Sequence, residues 1–532
     1  MLRLRLAFWS LMALLLTVAA GLGIVKFNAT RTQIQAVRVP PGDQEIAWFH
    51  TATSTGTWER FVTGVQHFGA KTPGWEVDDS RAYPDRSTDV PEVTVRRAGS
   101  AHFLRIRWYK QSSQAKVVDW VKALSERSPP PLAVMGGGST DRALELAETL
   151  QANTDRWKGP NPLLLITTAT ANSYHSSRNE YAIEDLLGVY PGRSFRFCFT
   201  NRQMAEAVLD FVWWKKDELR PYRSPPTALE MLVGGAAANR LSDTRPTITA
   251  IQWDDDPYSV DLVEQFRWAL DEHDLPPEKA PPWKRLGCPQ PLLQKVDVAS
   301  SIGGYSRANR WEAKVADELL SESPPLPLQR SLPRNGDERV LLILPTVPQP
   351  ARRMLATLTG ALPNLGRQLV AVNGDGIAFN NVYRDRDLVW NVRRAPVPLV
   401  FFTHQNPVAW DAESPLARPD QSKFALYGPN GTDDVLHFSD MVRILAEAAY
   451  DVEPSHSPAD ELIPSADELR ERLMSRQPAF FEPDGNRRGG SGEFVVYLRP
   501  GPRGEHTSAT LEVWTRSAGT WVHVPPRLDL TY

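Results

Sequence analysis

Three short segments carry side chains that could grip a small charged molecule. Gly136-Gly137-Gly138-Ser139-Thr140 runs straight into a helix-forming stretch, Asp141 to Leu150. Backbone N–H groups at a helix start lack partners, and the helix dipole adds positive potential there. Ser139 and Thr140 are therefore candidates for holding an anion. Serine or threonine before a helix also serves as an ordinary N-cap, and one hydroxyl can cap while backbone donors face a ligand. Asn373-Gly374-Asp375-Gly376 follows the apolar run Gln368 to Val372. The glycines allow close backbone approach, and a desolvated carboxylate at Asp375 would make a strong charge-assisted bond to an ammonium. The same four residues also read as a turn chosen for its shape. The third segment is Asp254-Asp255-Asp256-Pro257-Tyr258-Ser259, between an apolar run (Thr247 to Trp253) and an amphipathic helix with Leu262, Phe266, Ala269 and Leu270 on one face. Consecutive aspartates point in different directions, so a solvated loop with capping duty fits them better than a metal site.

Other chemistries find little support. No G-x-S-x-G, H-E-x-x-H or metal-spaced Cys/His cluster occurs, and His50, His175, His404 and Cys288 stand alone in the sequence. The glycine run lacks both the G-x-G-x-x-G spacing and a Gly-Lys-Ser/Thr ending, so it is not read as a nucleotide loop. The net charge is −3, and no basic stripe with interleaved aromatics appears, which argues against nucleic acid. The reading is a binding protein rather than an enzyme, with no cofactor.

These segments need a scaffold. A chain of 532 residues with 42% hydrophobic content supports two or three domains. Apolar strand-like runs alternate with helical stretches from about residue 45 to 450. Examples are Glu45 to Phe49, Pro131 to Met135, Pro162 to Ile166, Val340 to Leu344 and Pro398 to Phe402. Alternation of this kind specifies parallel sheets with helices on both faces, and two sheets suit the length better than one very wide one. In such sheets ligands sit at the carboxyl ends of strands, where the loop Asp254 to Ser259 falls. Phe494 to Leu498 and Ala509 to Val522 read as antiparallel strands. Cys198 and Cys288 are the only cysteines, which excludes a disulfide scaffold; one bridge or two buried thiols both remain open.

The order of landmarks resembles the type I periplasmic binding proteins, the leucine/isoleucine/valine-binding family. The matching pieces are Gly136 to Thr140, Thr167-Thr168-Ala169-Thr170, Phe195-Arg196-Phe197, Asp254 to Tyr258, Gly374-Asp375-Gly376 and Phe481-Glu482-Pro483-Asp484-Gly485-Asn486. The resemblance implies an α/β fold of two lobes, each a parallel-rich sheet flanked by helices, hinge-linked by crossover strands, with a C-terminal β extension here. It places residues 45–195 and 403–532 in lobe one and 196–402 in lobe two. It implies a small polar ligand, an amino acid or related carboxylate, in the cleft, delivered to an ABC-type permease. Thr168 and Thr170 would then contact the ligand carboxylate, Tyr258 would cover the ligand, and Asp375 would meet its ammonium. The short loop Thr53 to Trp58 lacks the family's aromatic, for which Trp58 is the candidate replacement, and Pro345-Thr346-Val347 has no tyrosine. A membrane-tethered sensor or scaffold with the same fold is the alternative.

The N-terminus bears on location. Arg3 and Arg5 precede an apolar run, Leu6 to Val25, about long enough to span a bilayer. The arginines favour a cytoplasmic N-terminus and an exported, periplasmic body tethered to the inner membrane by residues 6–25. A cleaved signal peptide, ending near Val18-Ala19-Ala20, is the rival reading. Residues 1–26 form this segment and 27–44 a polar linker.

Overall fold

Unbroken apolar runs become strands covered on both faces. Strand β1 (Gln44–Thr51) buries Ile46, Ala47, Trp48 and Phe49 in succession. The computed structural model describes residues 12, 34, 36–86, 88–175, 182–183, 185–222, 245–254, 256–271, 280–298, 339–361, 368–377, 396–404, 433–450, 464–475, 481, 494–500, 510–517 and 519–524. The apolar run at the N-terminus, apart from Met12, lies outside them, as does most of the Phe481–Asn486 turn. Among the described residues no helix is long and apolar enough to cross a membrane.

In chain order the first region holds β1, helix α1 (Thr55–Lys71), β2 (Trp75–Asp78), β3 (Glu92–Arg97) and β4 (Leu104–Gln111). Next come α2 (Val117–Ser125), β5 (Ala133–Gly136), α3 (Thr140–Gln151), β6 (Leu163–Ile166), a two-stranded flap of β7 (Tyr174–His175) and β8 (Ala182–Ile183), and β9 (Ser194–Arg196). The first sheet runs β2-β3-β4-β1-β5-β6-β9 and is parallel from β4 to β9. Helix α1 covers one face through Trp58, Phe61 and Val65. Helices α2 and α3 cover the other through Val121, Leu124, Ala143 and Leu146.

The second region holds α4 (Asn201–Trp214), β10 (Thr247–Trp253), α5 (Pro257–Leu270), the one-turn α6 (Pro282–Arg285) and β11 (Leu292–Val298). It continues with β12 (Val340–Ile343), α7 (Pro348–Ala361), β13 (Leu369–Val372) and β14 (Leu399–Thr403). Its sheet runs β11-β10-β12-β13-β14 in parallel, then continues antiparallel into β15 (Phe494–Arg499), β16 (Thr510–Ser517) and β17 (Thr520–Val524), which come last in the chain. Helices α4 and α5 cover one face, α7 the other. In both sheets the parallel strands follow the doubly wound order in which the first strand lies between the second and third. Two mixed sheets, mostly parallel and flanked by helices, are the two-lobed plan expected from the resemblance.

One part of the predicted division is corrected. Residues 403–532 were assigned to lobe one as a block. Among the described residues of that block, the helices α8 (Asp433–Ala449) and α9 (Ala466–Ser475) and Phe481 return there, where Phe438, Met441, Leu445 and Leu469 join the cluster around Trp48 and Phe61. A Cβ on Gly64 of α1 would lie 2.8 Å from the carbonyl of Val435, so these two helices need glycine to pack this closely. The C-terminal strands instead extend the second sheet, β15 pairing with β14 and carrying β16 and β17 beyond it, with Val495 and Tyr497 facing that sheet's core. The half-buried Asp210 of α4 fastens them, accepting from Arg516 and from Trp521 Nε1.

A buried ion network stiffens the first lobe. Arg107 bonds Glu45 at 2.5 Å and Glu92 at 2.6 Å, and Arg127 adds a second contact to Glu45 at 3.0 Å. Burial alone would weaken the hold of Arg107 on its proton, but Glu45 and Glu92 outweigh it. Removing one partner of so enclosed a set leaves an uncompensated charge, a cost of about 3–5 kcal/mol.

Candidate functional site

The carboxyl ends of both sheets face one cavity of about 190 Å³. Its walls are the loops after five strands: Gly138–Asp141 after β5, Thr168–Thr170 after β6, Asp256–Tyr258 after β10, Val347 after β12 and Asp375–Gly376 after β13. Ser139, Thr140, Thr168, Thr170, Tyr258 and Asp375 all line it. The location is the one that doubly wound sheets favour.

The first wall presents donors. Ser139 is the N-cap of α3, with extended backbone (φ −148°, ψ 163°), yet its side chain makes no capping bond. Among the described residues, no hydrogen bond within the protein uses the hydroxyl of Ser139, Thr140, Thr168 or Thr170. Gly137 turns the chain at φ +76°, and a Cβ there would lie 2.9 Å from that of Ala143. The next loop is held from behind by the crossover segment 196–201. Thr170 O accepts from Asn201 N at 2.8 Å and from Arg196 Nη1 at 3.4 Å, and Ala169 O accepts from Cys198 Sγ at 3.4 Å. A trans peptide points its C=O and the following N–H in opposite directions, so the N–H groups of Thr170 and Ala171 turn away from that segment. Hydroxyls, a helix start and the Thr170 amide form one donor-rich wall.

The second wall carries the acid. Asp256 caps α5 by accepting from Tyr258 N at 3.1 Å. Tyr258 uses its hydroxyl inside its own lobe: Gly376 N donates to it at 2.9 Å, and it donates to Asn373 Oδ1 at 3.4 Å. A Cβ on Gly374 or Gly376 would lie 2.8 or 3.0 Å from that oxygen, so both glycines make room for the tyrosine. Burial, then the neighbouring Asp375 carboxylate, pushes the Tyr258 hydroxyl well above its ordinary range, and it stays neutral. Its ring lines the cavity while its hydroxyl braces the Asp375 loop.

Asp375 has a partner that the sequence did not suggest. His404, just after β14, places Nε2 3.0 Å from Asp375 Oδ2. Its Nδ1 accepts from Phe199 N at 3.3 Å, and the two rings stack with centroids 5.7 Å apart. His437 lies 5.6 Å from His404, ring to ring, and contacts Thr167 O at 2.9 Å through Nε2. No motif links these positions; pairing of β13 with β14 sets Asp375 beside His404, and helix α8 carries His437.

A second set ties the lobes beside the cavity. The buried Asp261 of α5 accepts from Asn172 N and Ser173 N, both at 2.9 Å, and from Ser173 Oγ at 2.6 Å. It also accepts from Asn201 Nδ2 at 2.8 Å.

Other candidates fall elsewhere. Trp58 is 2% exposed, donates to Ala82 O and stacks on Trp108, so it packs the core and does not replace a ligand aromatic. Cys198 and Cys288 form no disulfide: Cys198 is buried at the crossover, and Cys288 lies against Arg220. Among the described residues no cluster of His, Cys, Asp and Glu could hold a metal ion.

No protein-family model matches the sequence, and comparison with curated proteins gives no match either. Solved structures do resemble it. A leucine-, isoleucine-, valine-, threonine- and alanine-binding protein from Brucella ovis, in its closed conformation, is 14% identical over 89% of this chain and 95% of its own, with a TM-score of 0.49. A Rhodopseudomonas palustris transporter solute-binding protein in complex with p-hydroxybenzoic acid is 10% identical over 92% and 99%, also at 0.49. A leucine-binding protein from Thermotoga maritima is 14% identical over 91% and 98%, at 0.43. With identities and scores this low, the fold rests on the strand order and registers above.

Proposed function

We propose that the protein is an extracytoplasmic solute-binding protein that closes on a small polar ligand, an amino acid or related carboxylate. One observation carries the reading: unspent donors on one wall and the Asp375 carboxylate on the other face the same cavity. The ligand carboxylate sits against Ser139, Thr140, Thr168, Thr170 and the start of α3. Its ammonium meets Asp375, and the Tyr258 ring covers it. About 190 Å³ is below the roughly 300–1,000 Å³ of pockets for drug-sized molecules, which favours an occupant of amino-acid size. Residues 45–195 with α8 and α9 form one jaw, and the second sheet with its helices forms the other. The body lies outside the cytoplasm, tethered by residues 6–25, and an ABC-type permease is the partner.

A thermal-shift screen of the protein against amino acids, carboxylates, sugars and short peptides tests this. A specific ligand raises stability as RT ln(1 + [L]/Kd). A flat response to every amino acid and carboxylate would remove the proposal. The second reading, a tethered sensor without a transported ligand, draws on the Tyr258 hydroxyl being spent within its own lobe. A flat screen, together with unchanged melting of Asp375→Asn, would favour it.

A further inference from the structure

Arg196 is fully buried, and among the described residues its Nε and Nη2 have no hydrogen-bond partner. Its contacts are Thr170 O at 3.4 Å and the carboxylate of Asp185, which is 38% exposed and 3.9 Å away. Such a group is costly in a folded protein: a buried guanidinium loses its hydration, and one distant, solvated carboxylate returns little of it. Evolution of a stable fold alone would place an apolar side chain here. The cost makes sense if the charge acts on something not always present.

We infer that Arg196 is a specificity-determining charge for the proposed site, acting through the Thr170 peptide on an anionic ligand group. The inference rests on the carboxylate reading above. Three observations direct the charge at the cavity. Arg196 bonds the carbonyl of a residue that lines the cavity. The N–H of that peptide, on Ala171 beside the cavity-lining Thr170, points away from Arg196 because the peptide is trans, and donation to the carbonyl polarises the peptide and strengthens this N–H as a donor. Finally, the environment is dry, so the positive potential is weakly screened. A carboxylate in the cavity thus feels a fixed cation that it never touches, while a neutral amide of the same shape gains far less. Arg196 is a positioning residue, since it reaches the ligand only through Thr170.

The test compares acetate with acetamide as minimal probes, at constant ionic strength, by the thermal shift of the full chain and of Arg196→Met, Arg196→Gln and Arg196→Lys. The expected result is that acetate stabilises the wild type more than acetamide does. The acid preference should fall by about tenfold in Arg196→Met and Arg196→Gln, and largely survive in Arg196→Lys, which keeps the charge. Without ligand, Arg196→Met should melt at or above the wild type, because the buried charge is gone while the stem still fills its space. An equal acid preference in Arg196→Met and wild type overturns the inference and leaves the proposed function standing. A wild type indifferent to acetate overturns the inference, and the proposed function falls with it when every amino acid and carboxylate in the screen is also without effect. Should Arg196→Met fail to fold, the contrast between Arg196→Gln and Arg196→Lys decides, and a preference lost equally in those two also overturns the inference.

Discussion

His404 Nε2 lies 3.0 Å from Asp375 Oδ2, although the residues are 29 positions apart at the ends of neighbouring strands. Because Nδ1 accepts from Phe199 N–H, the ring proton sits on Nε2 and is donated to the carboxylate. One oxygen of Asp375 is thereby fixed, and the crossover segment is linked to the acid.

Asp375→Asn is expected to weaken an ammonium-bearing ligand by about 2 kcal/mol, roughly thirtyfold, the worth of a charged hydrogen bond. His404→Leu should cost less, and His404→Gln, which keeps a donor, less still. Titration calorimetry with a ligand identified by the screen checks the order. Equal losses in the two His404 variants would show that the histidine only fills space.

Ser139 and Thr200 invert the usual roles of caps. Thr200 caps α4 with a reciprocal capping box, its side chain accepting from Gln203 N while Gln203 returns to Thr200 N. Ser139 makes no such bond. Thr200→Ala should therefore cost about 1 kcal/mol of stability and leave ligand affinity alone. Ser139→Ala should leave stability within about 0.5 kcal/mol and lower affinity. Urea denaturation and calorimetry on both variants separate the two effects, and a large stability loss in Ser139→Ala would contradict the assignment.

Acidification should destabilise the protein through His50. Burial first, then nearby Arg142, pushes its imidazole down from 6.5 to about 4. Below 6.5 the unfolded chain takes up a proton that the native state refuses until about pH 4, so stability falls as pH drops through that window. The loss reaches at most about 3 kcal/mol, less for the part of the ring that water reaches. Urea midpoints across this range should show a flatter profile for His50→Gln than for the wild type. An identical slope in both would exclude His50 as the source.

Asp261 is expected to govern how firmly the lobes meet. Asp261→Ala would strip partners from two backbone N–H groups, Asn172 and Ser173, at a cost of about 2–4 kcal/mol. With that tie gone, small-angle scattering of the unliganded variant should show a larger radius of gyration. A lower melting temperature with unchanged dimensions would confine Asp261 to local support.

Much of the scaffold was legible without coordinates because backbone hydrogen bonding and burial leave a periodic trace. The apolar runs at Ile46–Phe49, Leu163–Ile166 and Val340–Ile343 are strands, and the glycine-rich turns after Met135 and Val372 lie at the carboxyl ends of β5 and β13. Helix starts at Ser139 and Asp256 could be read from residue types alone. The sequence also placed the hydroxyls and the acid that share the cavity, since each follows a strand and loops at that end converge in this architecture. What the tertiary structure decided was pairing across distance. His404 meets Asp375, Arg196 backs Thr170, and the last three strands join the second sheet instead of the first. Those choices depend on which strands are neighbours and which side chains find partners when water is excluded. A one-dimensional pattern holds no record of either.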